Sequence, residues 1–137
     1  MKTEKVSVNL NPVELGQIDY LVSRGLFDSR SDFIRTASRK SLEGYKDEFD
    51  KFLREDEEVD SSDKMLFGVA YVHIVKSELT RLHANGRKLH IRVIGVLSFD
   101  KAITPEDIRN TISYCKVGGK LIAKPEIKAA LEEIAYL

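Results

Sequence analysis

The first regular pattern in the chain is a strict alternation. In "KVSVNLNP", residues 5–12, Val6, Val8 and Leu10 fall on one side and Lys5, Ser7 and Asn9 on the other. That is the period of a β-strand with one face against a core, yet no neighbouring stretch reads as its pairing partner. The period then changes. Asn11 is placed to cap a helix whose first position is Pro12, where a missing N–H costs nothing. Val13 or Leu15, Ile18, Leu21, Val22 and Leu26 recur at helical spacing, so the helix is predicted from about Pro12 to Arg24, with Gly25 as a left-handed stop. "SRSDFIRTASRKSLEGY" opens a second helix, Ser29 and Asp32 having the spacing of a capping box. Its apolar stripe is Phe33, Ile34, Ala37, Ser41 and Tyr45, and the same phase continues through Phe49, Phe52 and Leu53. One long helix is expected, weakened at Gly44.

Residues 47–64 are read as an extension of that helix followed by an acidic linker, "REDEEVDSSDK". From Met65 the pattern becomes β/α. "MLFGVAYVHIV" is an apolar, β-branched strand, "KSELTRLHANG" a helix with a glycine stop, and "KLHIRVIGVLSF" another strand. "TPEDIRNTISYC" is a helix capped by Thr104 with Pro105 first, and "KVGGKLIA" and "KPEIKAALEEIAYL" repeat the alternation. Gly68, Gly95 and Gly119 align three strand-to-helix passages at intervals of 24 to 27 residues, which suggests repeated units around a parallel sheet. The domains expected are therefore residues 1–46, the 47–64 connection, and an α/β domain over 65–137.

A lone strand and two short helices bury too little to offset the entropy of ordering them. Two copies solve the problem: the strand pairs antiparallel with its twin across a two-fold axis, and four helices close over Val6, Val8 and Leu10. The polar faces then form one surface. A two-stranded ribbon is the right width for the DNA major groove, and Lys, Ser and Asn can read base edges there.

Composition adds boundaries. The 137 residues are 42% hydrophobic, enough for one ordinary core or for two small units if one borrows core from a partner. No apolar run approaches the roughly 20 residues of a membrane span, and the start "MKTEKV" lacks the apolar centre of a signal peptide, so no membrane and a cytoplasmic location are expected. The net charge is zero but uneven: +2 over residues 1–46, −6 over 47–64 and +4 over 65–137. Cys115 is the single cysteine, expected as a buried small residue. His73, His83 and His90 are scattered rather than set at ligand spacing, so no metal and no cofactor are expected. Neither GxGxxG nor GxxxxGK[ST] occurs, and no nucleophile stands in a triad pattern. No catalytic residue is expected, and the chain is read as a non-enzyme.

The stretch from Lys5 to about Tyr45 resembles the ribbon-helix-helix domain of CopG-type repressors and ParD-type antitoxins, relatives of the Arc and MetJ repressors. The residues that carry the resemblance are the alternating strand before a helix, the glycine between helices, and "S-x-S-D-F-I-R-x-A" at the start of the second helix. The fold class implied is α+β, an N-terminal dimeric ribbon-helix-helix followed by a small α/β domain of alternating strands and helices. The resemblance implies a homodimeric, sequence-specific regulator of transcription, a repressor by analogy, with double-stranded DNA as partner. It places Lys5, Ser7 and Asn9 at base-contacting positions. Phosphate contacts fall on the amides of Arg30 and Ser31 beside the Ser29 hydroxyl, with Arg30 and Arg35 offsetting the charge of Asp32. The alternative is an antitoxin-like module that binds a protein partner and DNA. The domain over 65–137 is expected to sense a small-molecule effector, bring dimers together or bind a protein. Its texture is similar to the βαββαβ regulatory domain of nickel-responsive repressors, but the metal ligands of that family are not in place.

Overall fold

In the computed structural model, residues 3–54 and 59–135 are described. Residues 55–58 of the acidic linker and the terminal Tyr136 and Leu137 lie outside them. The chain divides into two compact units, Met1–Lys46 and Asp47–Leu137.

In the first unit, helix α1 spans Pro12–Ser23 and α2 spans Arg30–Glu43. The Asn11 side chain accepts the Glu14 N–H at 2.8 Å, with Pro12 at the first position. Gly25 closes the helix in the left-handed region at φ 76°. Ser29 caps α2 by accepting the Asp32 N–H at 3.0 Å. The expected reciprocal bond is displaced by one residue: the Asp32 carboxylate accepts from Asp28 N–H, not from Ser29. Residues 3–11 carry no regular secondary structure, which departs from the predicted strand. The reason is that a strand exists only as a paired ladder, and no segment among the described residues pairs with this one.

The single long helix is also corrected. Gly44 and Tyr45 donate to the carbonyls of Ser41 and Leu42, three residues back. These tightened bonds end α2, and a separate helix α3 runs over Lys46–Leu53.

The second unit alternates strand and helix: β1 Lys64–Ile74, α4 Lys76–Ala84, β2 Leu89–Phe99, α5 Pro105–Thr111, β3 Ile112–Ile122 and α6 Pro125–Ala135. The strands form a parallel sheet in the order β1-β2-β3. This order is not the βαββαβ of the nickel-responsive regulatory domain. Parallel neighbours require a crossover, and each crossover here is a helix. Helix α5 stops at Thr111, so "ISYC", read as its end, instead opens β3. Thr104 and Asp107 form the full capping box of α5.

The core lies between the sheet and α4, α5 and α6. Leu89, Ile91, Val93, Leu97 and Phe99 of β2 meet Leu79 and Leu82 of α4, Ile108 of α5, and Ile127, Ala130 and Leu131 of α6. The glycine alignment shifts by two positions: Gly95 pairs with Gly119 as read, but with Ala70 rather than Gly68. A Cβ at Gly95 would collide with the Ala70 carbonyl, and one at Gly119 with the Gly95 carbonyl. Small residues here let the backbones approach.

Candidate nucleic-acid interface

Lys5, Ser7 and Asn9 are all exposed, in a segment whose apolar residues alternate with them. Val8 and Leu10 turn toward the helices. Together with Ile18 and Leu21 of α1 and Phe33 and Ile34 of α2 they line an open groove of about 680 Å³. Ile18 is the one buried residue among the hydrophobic side chains described in this unit; Val6 is 79% and Val8 59% exposed. An apolar groove this open leaves the unit with almost no interior of its own.

The residues expected at a phosphate lie at the amino end of α2. Ser29 is its cap, Arg30 and Ser31 its first two positions, and Arg35 lies one turn further, exposed. Asp32 N–H is taken by the Ser29 hydroxyl and Phe33 N–H by the Ser29 carbonyl. The Arg30 and Ser31 N–H groups have no acceptor among the described residues, as expected of the first positions of a helix. They point out of the helix end, where the dipole favours an anion.

The Arg30 side chain, however, is committed elsewhere. Its guanidinium donates to both oxygens of Asp19 on α1, at 2.7 and 2.8 Å, a bidentate fork. The Arg30 hydrogen bond is the main cause that holds the Asp19 carboxyl below its ordinary value; slight desolvation opposes it and charge attraction adds to it. The same bond raises Arg30. Sequence reasoning did not find this pair, because residues on two helices joined by a tight turn leave no periodic trace. Asp32, whose charge sat awkwardly beside a phosphate, is tied to the Asp28 amide.

Among the described residues no three His, Cys, Asp or Glu side chains converge as a metal set. His73 Nδ1 lies 3.0 Å from the Ser98 hydroxyl, and His90 stacks on Tyr114 with ring centroids 4.6 Å apart. Cys115 is buried, and desolvation pushes its thiol up to about 12, the behaviour of an inert core thiol. No described helix is long and apolar enough to cross a membrane.

A capped helix pair behind an alternating segment, open on its apolar side, forms the head of the chain. The chain belongs to the Ribbon-Helix-Helix transcriptional regulator family, whose model matches residues 1–128. It is thus a DNA-binding regulator in a family of regulators rather than of enzymes, and the match extends well beyond the head into the α/β unit. No curated protein and no solved structure matches the chain.

Proposed function

We propose that two copies pair their residue 5–10 segments antiparallel, and that the ribbon so formed lies in the DNA major groove of an operator with two-fold related half-sites. The supporting observation is the groove: Val8 and Leu10 already line it with α1 and α2, while Lys5, Ser7 and Asn9 stay exposed. Pairing supplies the missing half of the core and the missing ladder in one step. Asn9 reads an adenine and Lys5 a guanine, with Ser7 between them.

At each side the Arg30 and Ser31 amides and the Ser29 hydroxyl hold a phosphate, with Arg35 adding charge. Arg30 contributes through its backbone, since its side chain is held by Asp19. The protein acts as a repressor in the cytoplasm, and residues 65–137, joined through 47–64, report a ligand or join copies.

Selection of bound DNA from a random pool at two salt concentrations tests this. A consensus with two-fold symmetry that survives the higher salt is expected, because charge attraction alone fades with salt. Asn9→Ala then weakens binding by about 1–3 kcal/mol and relaxes the preference at one base pair per half-site. Unchanged affinity and preference would remove Asn9 from the reading face.

A further inference from the structure

The sheet of the second unit has two edges, and they are built differently. Strand β3 carries Lys116 and Lys120 and the glycine pair Gly118 and Gly119, the kind of charges and breaks that keep an edge from pairing. Strand β1 has no charged residue from Met65 to Ile74. Eleven residues long and, among the described residues, paired on one side only, it is an edge without a guard.

The free groups of that edge follow from the ladder. Lys64 N–H donates to Lys88 carbonyl, and Ile74 carbonyl accepts from Asp100 N–H, both on the β2 side. The β1–β2 register runs without a shift, so the even-numbered residues turn their backbone groups to β2. Met65, Phe67, Val69, Tyr71 and His73 therefore turn theirs to the open edge. These are also the residues whose side chains stand on the face away from α4, α5 and α6. Phe67 is 60%, Val69 63% and Tyr71 50% exposed. On the same face α3 packs over the β3 side, with Phe52 against Gly118 and the Lys116 ammonium 4.9 Å from its ring. A parallel sheet is ordinarily covered on both faces, and here the cover stops short of β1.

We infer that β1 pairs antiparallel with β1 of a second copy about a two-fold axis at Val69, joining two three-stranded sheets into one of six. This register sets Val69 opposite Val69 of the second copy, Phe67 opposite Tyr71 and Met65 opposite His73, each a hydrogen-bonded pair with side chains on the uncovered face. Two aromatic pairs flank the axis, among the more stabilising cross-strand combinations. Gly68 and Ala70 oppose each other on the far face, where strands approach most closely. No like charges meet within the ladder.

The occupant is a second copy because an uncharged strand that is its own complement under a two-fold axis needs no other partner. At roughly 200 Å² for a whole aromatic side chain, and with each about half exposed, the four apolar side chains offer about 400 Å² per copy and about 800 Å² for two copies, against about 1,200 Å² in total for the smallest stable standard interface. The contact is therefore weak by itself. It draws on the head pairing proposed above to hold two copies at high effective concentration, and to that extent rests on that reading.

Disulfide trapping in the full chain tests the register. Under mild oxidation Val69→Cys is expected to give a covalent dimer at least tenfold faster than Phe67→Cys, whose own counterpart lies four residues off register. Cys115, buried and protonated, stays out of the reaction. Equal rates for the two variants, or no crosslink at Val69→Cys, overturn the proposal. Val69→Lys, at an exposed site, separates this contact from the heads when mass is measured in solution. A Val69→Lys chain that stays dimeric beside an uncrosslinked Val69→Cys chain sinks the β1 contact and leaves the ribbon standing. A Val69→Lys chain that becomes monomeric, with Val69→Cys crosslinking at the expected rate, supports the β1 contact and overturns the ribbon as sufficient by itself to hold two copies.

Discussion

Asp19 and Arg30 tie the two helices of the head together through one bidentate ion pair. The fork fastens α1 to the start of α2 and withholds a cation from the phosphate expected there. Asp19→Asn releases that guanidinium. The slope of log affinity for DNA against log salt is then expected to steepen by about 0.9 for each new phosphate contact, read by fluorescence anisotropy over a salt series; an unchanged slope places the Arg30 side chain away from the duplex. The pair also has a pH signature. The folded-state value of Asp19 lies below the ordinary 3.8, so the support it lends the head is complete above that value and is lost as the pH falls through the lowered one. Both groups are exposed, so the effect is small and screened by salt.

At the scale of elements, the sheet depends on where its glycines stand. Gly68 and Gly95 both have φ in the region that side chains avoid, 137° and 131°. They differ in surroundings: a Cβ at Gly68 meets nothing within 4 Å, whereas at Gly95 it strikes the Ala70 carbonyl. Gly68→Ala is thus expected to cost about 1–3 kcal/mol, the strain of the backbone alone, and Gly95→Ala distinctly more because two strands must part. Urea unfolding of the two variants checks the order; equal losses would show that the close approach adds nothing. The termination of α2 belongs to the same scale. Apolar phase predicted one helix through Leu53, but phase reports only which side faces a core. It carries no record of the i−3 bonds at Gly44 and Tyr45 that divide α2 from α3.

For the molecule as a whole, the two units stand differently toward solvent. The second unit surrounds Leu89, Ile91, Ile108 and Ile127, each at most 1% exposed. The head, by contrast, lays Val8, Leu10, Leu21, Phe33, Ile34 and Leu42 along an open groove. Heating is therefore expected to show a head transition that rises with protein concentration, since a partner that binds only the folded form stabilises it by mass action. Val8→Glu should abolish that transition and DNA binding together, while a cooperative transition of the second unit remains in calorimetry. A head that melts at the same temperature at every concentration would mean that it is stable without a partner.

Much of this was legible from residues alone. Caps at Asn11, Ser29 and Thr104, the stop at Gly25, and the strand and helix sequence after Met65 all rest on local chemistry: a side chain reaching a backbone group three positions away, or a period that matches one geometry. What depended on distant partners was not legible. The Asp19–Arg30 fork, the shift that sets Ala70 rather than Gly68 beside Gly95, and the unguarded β1 edge are products of how strands and helices are brought together, and no short window of sequence contains both halves of such a contact. The opening segment lies between these cases. Its alternation suggested which residues face a core and which face outward, but a strand needs a neighbour for its N–H and C=O groups, and none is offered among the described residues.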